Sequence, residues 1–294
     1  MSLFKLFAAG LVLTFRKRRL VLRLWVVNFL FALLVAAPAA FLLIGHSAHS
    51  LSAAAVLKKF DVHWLTDLSV RYLDAAPAYA GLLVLAVGFY ILLAVFLNGG
   101  IIGCLNRPEA RTTLGDFFHD CGLYFWRFFR LFLISIPVYI LALAIFFPLL
   151  RVLLETVNRR AATEWPVLVA GNIRLLSLLL LLGLVSMFFA YVKIGLAASG
   201  RKSVLKEAWL TLKFLFRRFF RAWGLYLLAG LAFVLLTLCY LEVARLLPKD
   251  RPLLVLIFFL WQQLYVLGRQ FSKVLFFATG IEFARQQNER GQST

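Results

Sequence analysis

The stretch VLKEAWLTLKFLFRRFFRAWGL, residues 204–225, decides the fold. Leu205, Ala208, Trp209, Leu212, Phe216, Phe219 and Phe220 recur in it at three- and four-residue spacing. Lys206, Glu207, Lys213, Arg217, Arg218 and Arg221 occupy much of the opposite face. A helix of this kind lies in a membrane interface, its apolar face among acyl chains and its cations towards phosphates. The chain then stays apolar long enough to cross a bilayer, which takes roughly 20 residues. The same pattern occurs twice earlier, at residues 2–23 (SLFKLFAAGLVLTFRKRRLVLR) and 113–134 (TLGDFFHDCGLYFWRFFRLFLI), and all three copies align without a gap. Leu3, Leu114 and Leu205 coincide, as do the basic clusters that begin at Arg16, Arg127 and Arg218. An internal repeat constrains the architecture before any residue is interpreted alone. The expectation is an all-α polytopic membrane protein, a single membrane domain over 1–294. Its three repeats, at 2–104, 112–197 and 203–282, each pair an interfacial amphipathic helix with a transmembrane hairpin, and a polar, frayed tail follows at 283–294. A single long helix entering from the cytoplasm fits each copy as well.

Composition agrees with a bilayer as the main solvent. Apolar residues make up 63% of the 294 and charged ones only 15%, more apolar surface than a water-soluble chain of this size can hide. Six spans are expected near 20–45, 77–104, 128–150, 172–197, 222–247 and 253–280. The runs are too long and unbroken for the alternating strands of an outer-membrane barrel.

The net charge of +19 is unevenly spread. The segments before span 1, between spans 2 and 3, between spans 4 and 5 and after about residue 268 hold 22 of the 32 Lys and Arg. Acidic residues divide almost equally, so one side carries about +16 and the other about +3. The basic side is expected in the cytoplasm, with both termini there, in a bacterial inner membrane. Arg16, Lys17, Arg18, Arg19, Arg127, Arg130, Arg217, Arg218 and Arg221 are the expected anchors to anionic head groups, at roughly 1 kcal/mol per basic residue near the surface. Nucleic acid is not an expected partner, because these cations alternate with Phe and Trp at membrane depth and no nucleic-acid module is visible. A cleavable signal is not expected either: the apolar run from Leu24 to Ile44 continues past Ala37-Pro38-Ala39.

Helix 6 is the least ordinary span. Gln262, Arg269 and Lys273 lie seven and four residues apart, on one face. Even-numbered spans end alike at Ile102-Gly103, Ile194-Gly195 and Thr279-Gly280, which puts Arg269 eleven residues inside. Intramembrane cations usually face protein, water or an anionic partner, so these three are the candidate site for anionic lipid. Alternatively the span ends near 271 and both cations snorkel to the interface. Asn98-Gly99-Gly100 reads as a helix-packing surface. Thr113 and Asp116 form a capping box. His46, His49, Asp61 and His63 are generic zinc-type ligands without a catalytic Glu, and no metal or other cofactor is expected. Cys104, Cys121 and Cys239 make no disulfide framework. No P-loop, nucleophile elbow or metalloprotease motif is present, so an enzyme is not expected.

Gly-Ile-Ile-Gly at 100–103, Phe117-Phe118 and Tyr124-Phe125-Trp126-Arg127 give the chain a family likeness. It resembles a group of six-helix bacterial membrane proteins similar to the membrane region fused to some glycerophosphodiester phosphodiesterases. These 294 residues hold no phosphodiesterase domain, so the resemblance carries no hydrolase activity. It implies an inner-membrane module that handles or senses lipids. The leading expectation is a non-enzymatic module that binds anionic phospholipid and assists its movement or a partner lipid machine. The alternatives are a small-molecule or ion transporter, which needs a polar cavity on the repeat axis, and a membrane scaffold for a complex.

Overall fold

The computed structural model describes residues 2–47, 76–107, 112–158, 165–200, 203–247 and 251–292. Among the described residues there are eight α-helices and no strand. In order they are α1 (Leu3–Arg16), α2 (Arg18–Ser47), α3 (Ala76–Asn106), α4 (Leu114–Asn158), α5 (Trp165–Ser199), α6 (Val204–Arg217), α7 (Phe219–Leu246) and α8 (Pro252–Gln292). Six contain stretches long and apolar enough to cross a membrane, within 18–38, 80–106, 114–152, 171–199, 219–246 and 252–286. These match the six expected spans.

The amphipathic copies divide in an unexpected way. α1 and α6 are separate helices of 14 residues each, ended by backbone breaks at Lys17 and Arg218. The middle copy has no break, and α4 continues from its capped start into the span as one helix of 45 residues. The broken copies carry consecutive cations at this point, Arg16–Arg19 and Arg217-Arg218, whereas α4 has only Arg127 between Trp126 and Phe128. A kink lets adjacent cations fan out along the interface instead of following the helix inwards. α4 has no such crowd, and Phe128 is fully buried in the core. The α4 start is the expected capping box: Thr113 N donates to Asp116 Oδ2 at 2.8 Å, and Asp116 N donates to Thr113 Oγ1 at 3.1 Å.

Packing follows a consistent scheme. α1 lies against α8, the first half of α4 against α3, and α6 against α5. Glycine permits each approach: Gly10 meets Thr279, Gly100 and Gly103 meet Phe117 and Asp120, and Gly195 meets Glu207. Leu3 packs over Gly224 of α7, and Lys17 just past the other end of α1 reaches Arg107 beyond α3, so α1 runs crosswise over the bundle. α3, α5 and α8 touch one another and enclose the centre.

The expected frayed tail is corrected. α8 continues to Gln292, and Phe283 is fully buried between Tyr191 and Phe214. Arg285 donates to the carbonyls of Leu105 and Asn106 at 3.1 and 3.0 Å. Those contacts satisfy orphan acceptors at the end of α3, which is why the helix is held well past Glu282.

Candidate functional site

A cavity of about 480 Å³ opens between α3, α5, α7 and α8. Three helical stripes face it: Tyr90, Ala94 and Asn98 on α3; Ser186, Ala190 and Lys193 on α5; Arg269, Lys273, Phe276 and Gly280 on α8. Each stripe advances by three or four residues, as one face of a helix must. Space exists because Ala94, Ser186 and Ala190 stand where Leu or Phe would fill the centre. Tyr226 and Phe233 of α7 line a further side.

Three cations line this cavity. By the 1.5 Å rise per residue, Lys193, Lys273 and Arg269 lie about 3, 10 and 16 Å inside the level of Gly195 and Gly280. Lys193 and Arg269 are close enough for their charges to act on Lys273. No acidic residue lines the cavity, and among the described residues none of the three cations has a carboxylate or hydrogen-bond partner. Arg269 is exposed as well as lining, so it stands at the mouth. Asn98 is buried with its Oδ1 unpartnered, an acceptor without a donor in a cavity wall.

Of the expected site, Arg269 and Lys273 are brought together and Gln262 is not. Gln262 is exposed, two turns beyond Arg269 on α8, where the cavity has ended. Lys193, Asn98 and Ser186 were not legible as site residues. Asn98 belongs to a stretch read as packing only, and its two glycines do pack, against the backbone of Asp120 and against Phe117. Residues 274–281 of α8, apart from the half-buried Phe276, are buried within the bundle.

The expected anchors are mostly exposed, with one correction. Arg16, Arg18, Arg19, Arg130, Arg217 and Arg221 are exposed, and Arg127 and Arg218 are half-buried. Arg217, Arg218 and Arg221 rim an open recess with Phe216, Phe219 and Phe220. Lys17 is buried instead, and its Nζ donates to the Arg107 carbonyl at 2.7 Å. Desolvation pulls its pKa below the ordinary lysine value, helped by the charges of Arg107 and Arg16, while the neighbouring Cys104 pulls the other way. The break at Lys17 turns this side chain inward, so it joins helices and does not face a head group.

Near it, Asp120 is buried and pairs with Arg107. A second recess of about 390 Å³ lies between α5 and α6 and contains Glu207 and Thr211; it shares Tyr191 and Ile194 with the axial cavity. Among the described residues no cluster of His, Cys, Asp or Glu could hold a metal. His49, Asp61, His63 and the His46 side chain lie outside the described residues. Compared with protein families, with curated proteins and with solved structures, the chain matches none. The reading of the site therefore rests on its geometry.

Proposed function

We propose that the protein is a non-enzymatic membrane module that holds the anionic head group of a phospholipid in the axial cavity and assists its movement, or the work of a partner lipid machine. The carrying observation is the set Lys193, Arg269 and Lys273, which line one cavity without a carboxylate. A Lys or Arg at the centre of a span costs about 2.5–3.5 kcal/mol on insertion scales. Three in one cavity add mutual repulsion, which an anionic ligand offsets and a structural role does not. The exposed arginines on α2, α4, α6 and α7 support the same reading, because they would gather anionic lipid at the leaflet beside the cavity.

The packing of α1 on α8, α4 on α3 and α6 on α5 favours an arrangement of three repeats around a shared axis. In that arrangement the cavity lies where parallel repeats put a ligand. The setting we infer is a bacterial inner membrane with both termini cytoplasmic, which also accords with the resemblance drawn from the aromatic-basic motifs.

Native mass spectrometry with lipidomics on gently extracted protein tests the proposal. Wild type should retain an anionic lipid that the Arg269→Leu/Lys273→Leu double variant loses, and identical lipid profiles would overturn it. A second reading, a small-anion transporter, is favoured by the staggered depths of the three cations. It requires anion flux in proteoliposomes that falls in the same variant.

A further inference from the structure

We propose that the axial cavity selects a phosphate bearing at least two negative charges, the phosphomonoester or diphosphate end of a lipid, over a singly charged phosphodiester. This rests on reading the cavity as an anion site and names the class of anion.

Charge is the first argument. Lys193, Lys273 and Arg269 line the cavity and no acidic residue does. A phosphodiester supplies one negative charge and leaves two cations uncompensated beside each other, away from bulk water, where repulsion is least screened. A phosphomonoester carries about −1.5 to −2 at neutral pH and removes most of that excess. Geometry is the second argument. The three cations approach from two helices at three depths. Their backbones spread over about 13 Å of helix rise, so the long Lys and Arg side chains must converge on the anion. A phosphomonoester offers them three non-ester oxygens, whereas a diester has only two. Arg269 at the mouth can hold two oxygens with its fork, and the two lysines act as point charges deeper in. The amide of Asn98, whose Oδ1 is buried without a partner, is left to meet a ligand hydroxyl or, rotated, a phosphate oxygen. The volume of about 480 Å³ suits a head group, within the usual range of small-ligand sites. Acyl or prenyl chains would leave through the mouth into the bilayer.

Native mass spectrometry of the full chain, offered phosphatidic acid and phosphatidylglycerol with identical acyl chains in equal amounts at about pH 7.5, reads the selectivity directly. The expected result is a bound ratio of about tenfold or more in favour of phosphatidic acid. Lys273→Gln or Lys193→Gln should bring that ratio to about twofold or less while phosphatidylglycerol binding changes little. The wild-type ratio needs no variant, and Arg269→Gln, at an exposed position, serves if the deeper variants fail to fold. Equal retention of both lipids overturns the selectivity and leaves the anionic-lipid function standing; retention of neither overturns both. A further arm offers pyrophosphate and inorganic phosphate alone. Displacement of phosphatidic acid by either at matched concentration supports the doubly charged site and transfers the ligand from lipid to soluble anion. No displacement assigns it to lipid.

Discussion

A methyl group added at Gly10 would come within 2.5 Å of Thr279 Cγ2 and 2.9 Å of its backbone, so α1 and α8 would have to separate. Gly10→Ala should destabilise the protein by about 1–3 kcal/mol, read as earlier thermal loss of the monodisperse species in detergent. Gly122, exposed on α4, has nothing within 4 Å, and Gly122→Ala should instead stabilise by about 0.5–1 kcal/mol through helix propensity. Equal effects of the two would mean that α1 does not pack closely on α8. A second asymmetry lies at the ion pair. Asp120 is buried and Arg107 is 45% exposed, so removing either partner leaves a different problem. Arg107→Ala strands a buried carboxylate, with only His119 at 3.8 Å nearby, and should cost about 3–5 kcal/mol. Asp120→Ala frees an arginine that water can reach and should cost less. Equal losses in equilibrium unfolding would mean that Asp120 is hydrated. The same dependence on neighbours explains which site residues the sequence could reveal. Arg269 and Lys273 are four apart on one helix, so periodicity alone puts them together. Lys193 is a lone cation six residues before the end of α5 at Ser199, where snorkelling is the ordinary reading, and only the packing of α5 beside α8 turns it inward. Gln262 shares their period but lies beyond the reach of the cavity, a limit that spacing cannot express.

At the scale of the element, α6 carries three faces where periodicity predicts two. Val204, Glu207, Thr211 and Leu215 are buried against the bundle, while Leu205, Trp209 and Phe216 are 68%, 59% and 78% exposed. The polar face thus divides: Glu207 turns to Gly195 and Ser199, and Lys206, Lys213 and Arg217 remain outside. Hydropathy marks Glu207 as polar but cannot show that a glycine on α5 leaves room for it. Spans were legible because length and apolarity suffice to identify them. The continuity of α4 was not, since the aligned clusters look alike and only consecutive cations separate the kinked copies from the straight one. Exposed aromatic side chains on a bundle surface belong among acyl chains, which leads to a direct test. Spin labels at Leu205, Trp209 and Phe216 should collide with membrane-soluble oxygen, and labels at Lys206, Lys213 and Arg217 with an aqueous nickel complex, giving a helical oscillation along α6. Aqueous accessibility on both faces would place α6 in the cytoplasm and remove the elbow from the lipid-gathering argument.

Across the whole molecule, charge asymmetry and the cavity point to the same leaflet. The side that carries most of the basic residues, 19 of the 32 once the cavity cations Lys193, Arg269 and Lys273 are set apart, is also the end where Gly103, Gly195 and Thr279 receive the crossing helices, and Lys193 lies nearest to it. An anion that enters at Arg269, the exposed cation at the mouth, would meet Lys273 and then Lys193 towards the densely basic side. The positive-inside bias predicts the basic side in the cytoplasm, and six crossings would return the chain to the side it started from. Single cysteines at Ser2 and at Ser293, in a background with Cys104, Cys121 and Cys239 replaced, should react with a membrane-impermeant maleimide only in inside-out vesicles. A cysteine at Ser52, in the segment between α2 and α3, should react in intact spheroplasts. If Ser2 and Ser293 label from opposite sides, one of the six apolar helices does not cross. If both label from outside, the basic face and the Lys193 end of the cavity meet the outer leaflet.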